Sequence, residues 1–312
     1  MKVANTALLR VLVAGKSREA ENICSFMLKG ADGPLPNFTP GSHIDVHLPS
    51  GLVRQYSLIR KADSDSYHIA VLRDHRGRGG SVDLHDNARV GSILQISEPR
   101  NNFPLANPAK KHILIAGGIG VTPILSMIYA LIENGAQWHL HYGVRDATSG
   151  AFLDLLSQPP FSEFTTIYVQ DMPVEEIERS EKEEGAHVYC CGPTGLMERV
   201  RNVFYDWPES SVHFESFVGA AIKENERPFE VEIASTGQVI TVADNESLLE
   251  ALRRHGVELP YLCTQGVCGT CTVDLLEGQA DHRDSVLFEN EQSTKIVTCC
   301  SRAISRRLKL GL

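Results

Sequence analysis

The sequence predicts a multidomain chain. It reads as a β-barrel over residues 1–105, an α/β domain with a parallel sheet over 106–222, and a small β-rich domain with one helix over 228–312. Three observations predict this. Short β-rich runs punctuated by Gly, Pro, Asn and Asp fill the first hundred residues. Strands then alternate with helices, and a charged, proline-ended stretch finally leads into a segment of clustered cysteines. A length of 312 residues leaves room for two or three cores at roughly 100–200 residues per domain.

The first domain contains the runs LLRVLVAG, ICSFMLKG, HIDVHLP, RQYSLIR, YHIAVLR and SILQISEP. Short strands at such spacing favour a barrel or sandwich. In the middle domain HILIAGG, WHLHYGV, FTTIYVQ and HVYCCGP read as strands. Residues 123–134, AFLDLLSQ and GLMERVRNVFYDW read as helices between or after them. GAAIKENERP at 219–228 has linker chemistry. Beyond it, PFEVEIASTGQVITV reads as a hairpin and LLEALRRHG as a helix, with Asn245 as its cap and Gly256 just past its end.

Charge and hydropathy exclude two classes. A net charge of −9 argues against a nucleic-acid binder, which needs a basic stripe. Residues 113–132 carry no charge and are long enough to span a bilayer, but Gly117, Gly118, Gly120 and Pro123 break them into strand, loop and helix. The N-terminus lacks an apolar signal region, so a cytoplasmic chain with reduced thiols is expected.

Cys263, Cys268 and Cys271 follow a C-x4-C-x2-C spacing, and Cys299 and Cys300 follow 28 residues later. Plant-type [2Fe–2S] sites use this spacing plus one distant cysteine. A thin loop wraps one side of the cluster, with Gly266, Gly269 and Thr270 letting backbone N–H groups face the sulfurs. Structural zinc favours paired C-x2-C knuckles, and only one such pair is present. Disulfides are the third reading. The spacing leaves the fourth ligand open between Cys299 and Cys300, whose side chains diverge if VTCCSRA is a strand.

The stretches YLCTQGVCGTCTVDLLEGQADHRDSVL and IVTCCSRA resemble the C-terminal plant-type ferredoxin domain, a β-grasp fold, of the phthalate dioxygenase reductase family. That family's C-x-S-R-A pattern implies Cys299 as the fourth ligand. With RQYSL at 54–58 and VLRDHRGRGGSVDLH at 71–85, the resemblance extends to the flavin domain of the ferredoxin–NADP reductase superfamily. It implies Arg54 at a phosphate, Gln55 beside it, Tyr56 packed on the flavin ring and Ser57 near the reactive ring nitrogen. Val71, Leu72 and Arg73 would line the flavin edge, and Gly79, Gly80 and Ser81 would hold the phosphate at a helix N-terminus. FMN is the flavin the family implies.

The middle domain carries GGIGVTP at 117–123 and CCGP at 190–193. A strand, glycine loop and helix in series suit a pyrophosphate. The superfamily implies that Gly117, Gly118, Gly120, Thr122 and Pro123 on one side, and Cys191, Gly192 and Pro193 on the other, bracket the pyridine nucleotide. Cys191 would lie near the nicotinamide and Thr122 between the cofactors. Arg145 would meet the adenosine ribose, and Phe217 would border the flavin. NADH is the expected donor.

The resemblance covers the whole chain and implies the reductase component of a Rieske-type aromatic-ring dioxygenase or O-demethylase. Electrons would run from NADH to FMN to [2Fe–2S] to the oxygenase, with a monomeric reductase and no membrane partner. Two alternatives remain. One is an FAD-dependent reductase of a soluble multicomponent monooxygenase, which usually carries its ferredoxin first. The other is a non-enzymatic electron carrier or zinc module.

Overall fold

The computed structural model describes residues 8–63, 65–75, 77, 79–217, 226–262, 264, 266, 269–284, 286–287 and 289–312. The chain divides into two compact units between Glu215 and Ser216.

The first unit holds two sheets. Strands β1 (Leu9–Ala20), β2 (Ile23–Gly30), β3 (Ser42–His47), β4 (Val53–Ser57), β5 (Arg60–Asp63), β6 (Ser66–Leu72), β7 (Ile93–Ile96) and β8 (Arg100–Asn101) form an antiparallel sheet. Its order is β4-β3-β7-β1-β2-β6-β5, with β8 paired to β3. The sheet curls around one core. Alternate residues such as Phe26, Leu28, Ile44, Val46, Ile69 and Ile96 meet inside it with Leu84 of helix α1 (Gly80–Asn87). β1 continues past the predicted run, and a register shift between Val13 and Gly15 helps it bend.

The second sheet is parallel, in the order β11-β10-β9-β12-β13. Its elements run β9 (Lys111–Gly117), α2 (Val121–Glu133), β10 (Trp138–Val144), α3 (Leu153–Leu156), β11 (Thr165–Val169), α4 (Val174–Glu181), β12 (Ala186–Cys191), α5 (Thr194–Val203) and β13 (Val212–Glu215). The apolar run at 113–132 divides into β9, a 3-10 turn at Gly118–Gly120 and α2. Among the described residues no helix is long and apolar enough to cross a membrane. AFLDLLSQ forms only the single turn α3, and the helix read as far as Trp207 ends at Val203. α4 and β13 are additional elements. α4 is too polar for its apolar stripe to stand out, with Val174 and Ile177 as its buried residues.

The second unit takes in the linker reading at 219–228, of which 219–225 lie outside the described residues. Its strands are β14 (Phe229–Ile233), β15 (Val239–Val242), β16 (Thr272–Glu277), β17 (Ala280–Asp281), β18 (Lys295–Val297), β19 (Arg302–Ala303) and β20 (Arg307–Leu310). β14, β15, β16, β18 and β20 form one mixed sheet in the order β15-β14-β20-β16-β18, and β17 pairs with β19. Helix α6 (Leu248–Arg254) packs Leu248, Leu249, Ala251 and Leu252 on that sheet, and α7 (Glu289–Gln292) is one turn. The cap of α6 is Ser247, not Asn245. The Ser247 hydroxyl accepts from the Glu250 N–H, and the Glu250 carboxylate accepts from the Ser247 N–H. Gly256, at φ 78°, follows the helix end as expected.

Candidate functional site

Arg54 and Tyr56 project from β4, and Gly80 opens α1. The Arg54 side chain, 8% exposed, lies across the start of the helix. A β carbon at Gly80 would stand 2.5 Å from its Cγ and 2.6 Å from its Nε. Gly79, at φ 78°, provides the left-handed turn that leaves the first N–H groups of α1 without a side-chain cap. A guanidinium beside an uncapped helix N-terminus is a place for an anion. The Tyr56 hydroxyl and Ser57 Oγ are both buried without hydrogen-bond partners among the described residues. Orphaned buried hydroxyls next to an anion site fit a polar ring system with a phosphate tail.

Other expected flavin residues are placed differently. The Gln55 side chain turns away on the alternate face of β4 and its amide donates to Asp45 at 3.0 Å. Val71 points into the barrel core, 1% exposed, so its side chain does not line an edge. Leu72, one residue on, is 40% exposed. Arg73 pairs with Asp86, and Ser81 Oγ accepts from the Asp74 N–H at 3.0 Å.

The two glycine loops of the parallel sheet meet backbone to backbone. β9 and β12 are neighbours, so their C-terminal loops lie side by side. A β carbon at Gly192 would stand 3.0 Å from Gly117 Cα, one at Gly117 would stand 2.6 Å from Pro193 Cδ, and one at Gly120 would overlap the Cys191 carbonyl. Thr122, 1% exposed, donates to the Ile119 carbonyl, and Pro123 is buried in the first turn of α2. A cavity of about 640 Å³ opens beside the loops, lined by Leu72, Gly117, Gly118, Arg145, Pro193 and Arg199 among others. It brings the expected Leu72 and Arg145 to the glycine loops. Arg199 is a cationic wall that no motif marks, and it is paired with Asp171 and Glu175.

Cys191 is fully buried, and burial, followed by Glu215 and Cys190, pushes its thiol well above the ordinary value. It is therefore a neutral thiol. Glu215 is its register partner on β13. Part of Glu215 reaches the surface, but Oε2 is buried without a partner among the described residues, and burial raises the pKa to about 8. A protonated carboxyl thus stands beside Cys191. Sequence reading missed it, although a lone acid in the strand HFESF was a signal. Phe217 falls in the second unit and is half-buried.

In the second unit, Cys263 and Cys268 lie outside the described residues. Cys271 and Cys299 are 2% and 8% exposed, and the neighbouring Cys299 thiol, with burial, pushes the Cys271 thiol far above its ordinary value. The Gly266 N–H donates to Cys299 Sγ at 3.2 Å. VTCCSRA is not a continuous strand. β18 stops at Val297 and a turn follows, closed by the Ser301 N–H on the Val297 carbonyl. The turn sends Cys299 towards Cys271, while Cys300 Sγ meets the Val297 carbonyl at 3.8 Å and stands beside Gly266, where a β carbon would come within 2.6 Å of it. Two buried thiols in contact, with a loop N–H aimed at one of them, fit a metal–sulfur cluster.

Arg302 of the same motif is a latch. Its guanidinium, 2% exposed, donates to the carbonyls of Glu246, Arg227 and Ala243 and sits 5.1 Å from the Phe229 ring centroid. Arg283, in the Asp281–Arg283 loop, pairs with Glu226 and Asp281.

Residues 231–303 match the family model for a 2Fe-2S iron-sulfur cluster binding domain. The chain is 41% identical over 313 residues to phthalate dioxygenase reductase of Burkholderia cepacia, covering 97% of each. It is 38% identical over 317 residues to vanillate O-demethylase oxidoreductase of a Pseudomonas species, covering 98% of this chain and all of that one. It is 39% identical over 313 residues to the heme-dependent oxidative N-demethylase beta subunit of Ectopseudomonas mendocina, covering 98% of this chain and 100% of that one. Among solved structures, a phthalate dioxygenase reductase, described as a modular structure for electron transfer from pyridine nucleotides to [2Fe–2S], superposes with a TM-score of 0.76 at 39% identity, covering 98% of both chains.

Proposed function

The chain belongs to the phthalate dioxygenase reductase family, and from that premise we propose that it is the reductase of a Rieske-type oxygenase, carrying electrons from NADH through FMN and [2Fe–2S]. The observation that carries this reading is the first unit's pairing of an Arg54–Gly80 anion cradle with interlocked Gly120 and Cys191 loops. Bound flavin would take two electrons from the nicotinamide and release them singly to the cluster.

The chain's own residues position and tune. Arg54 and the N–H groups at the start of α1 would hold the FMN phosphate, and Tyr56 would pack on the ring. Ser57 and Thr122 would meet the reacting edges of the two cofactors. Gly117, Gly118, Gly192 and Pro193 would let the nucleotide backbone approach closely, with Arg145 towards the ribose. Cys191 and protonated Glu215 offer uncharged groups beside the transfer site, so neither repels incoming NADH. Cys263, Cys268, Cys271 and Cys299 would hold the irons. We place a flavin domain at 1–105, a nucleotide domain at 106–222 and a ferredoxin domain at 228–312, in a monomeric cytoplasmic protein.

A heme protein is the second reading for the acceptor, favoured by the N-demethylase relative. Anaerobic mixing of the NADH-reduced protein with candidate oxygenases decides between them. Rapid reduction of a Rieske centre supports the proposal. Reduction confined to heme partners supports the second reading.

A further inference from the structure

Two histidines on one face of β10 converge with an acid from α4, away from the nucleotide cavity. His139 and His141 are two residues apart in a strand, so their rings project from the same side and stack at 4.5 Å between centroids. Glu181, at the C-terminal end of α4, brings Oε1 to 3.4 Å from His141 Nε2 and 3.9 Å from His139 Nδ1. All three ligand atoms lie within 4.8 Å of one another. Tetrahedral ligands about 2.1 Å from zinc stand roughly 3.4 Å apart, so only small side-chain rotations separate this arrangement from a bound one.

The outer nitrogens of both rings are engaged. His139 Nε2 meets Thr166 Oγ1 at 2.9 Å, and His141 Nδ1 meets the Tyr168 hydroxyl at 3.0 Å. Hydroxyls accepting there leave the inner nitrogens as lone-pair donors, the second-shell arrangement of metal-bound histidines. The His141 ring, 4% exposed as a residue, has its Nε2 buried without a hydrogen-bond partner among the described residues and aimed at Glu181. His139 is more open, which leaves a side for water as a further ligand. The opposing charge is Lys111, whose Nζ lies 2.5 Å from Glu181 Oε2. It occupies the other carboxylate oxygen and leaves Oε1 to the histidines.

We propose that His139, His141 and Glu181 form a site for a divalent transition metal of the zinc class, which would cross-link β10 to the end of α4. Mixed imidazole and carboxylate ligands suit zinc and not magnesium or calcium. The cluster cysteines are in another unit and play no part.

The test is a metal count on the holoprotein. The protein is dialysed against a chelator, checked for retained iron and flavin, and equilibrated with zinc buffered in the low micromolar range. One zinc per chain is expected with iron unchanged. His141→Gln and Glu181→Gln should bind zinc more than about a hundredfold more weakly, since losing an outer partner alone costs about ten- to a hundredfold. Tyr168→Phe should weaken it about tenfold, and Lys111→Met should tighten it by removing a positive charge. Should His141→Gln lose flavin through misfolding, the more exposed His139→Gln carries the same expectation. No zinc in the wild type, zinc gained only as iron is lost, or equal zinc in the folded ligand variants would each overturn the site.

Discussion

Gly120 and Cys191 lie backbone against backbone, so closely that a β carbon on Gly120 would overlap the Cys191 carbonyl and stand 2.9 Å from the Gly192 nitrogen. The obstacle is main chain, so no flexible side chain can yield. Gly120→Ala must move the two loops apart, and displacements of about 1 Å near a reacting centre cost on the order of a hundredfold in rate. NADH-driven bleaching of the flavin should slow by about that factor while flavin and iron contents stay normal, as stopped-flow absorbance would read. An unchanged rate would mean that the interlock does not set the transfer geometry.

Arg54 crosses the first residue of α1, where a β carbon at Gly80 would meet its Cγ and Nε. Charge-assisted hydrogen bonds are worth about 1.5–3 kcal/mol, so Arg54→Gln should weaken FMN binding by roughly ten- to a hundredfold. Gly80→Ala should act in the same direction by displacing the guanidinium. Flavin retention after gel filtration and fluorescence titration of the apoprotein measure both. The cluster content should not change.

Cys299 faces Cys271 and accepts from the Gly266 N–H, whereas Cys300 Sγ meets the Val297 carbonyl and packs beside Gly266 without accepting from its N–H. Cys299→Ser should abolish the EPR signal of the reduced cluster, leaving NADH-dependent flavin reduction intact. Cys300→Ser should keep both. The reverse pattern would move the fourth ligand by one residue.

Burial lowers the pKa of His43, His68, His112 and His213 from 6.5 to about 4. The folded protein keeps these rings neutral, while the unfolded chain takes up protons below about pH 6.5. Their contribution to stability is therefore complete above pH 6.5 and is lost as pH falls towards 4. Urea midpoints should drop steadily from pH 7 to pH 4.5, and His112→Gln should flatten that drop. A midpoint that holds or rises on acidification would contradict the burial.

Motifs were legible where chemistry forces a fixed spacing. RQYS, GGIGVTP and CCGP each carry a local shape in their spacing, and strands such as ICSFMLKG match their elements end to end. What escaped depends on tertiary neighbours. Glu215 is a lone acid until β13 is laid beside β12. Val71 and Leu72 differ only in which face of β6 each takes. Ser247 won the cap from Asn245 because Glu250 stands three residues on. His139 and His141 read as a strand, and only the unpredicted helix α4 brings Glu181 to them.

The most direct test of the electron path is anaerobic addition of NADH to the purified protein, followed by absorbance and freeze-quench EPR. The path predicts one FMN and one [2Fe–2S] cluster per chain, with flavin bleaching first and the reduced-cluster EPR signal growing from it. A protein that lacks flavin or iron, or whose flavin bleaches while the cluster never becomes reduced, would contradict it.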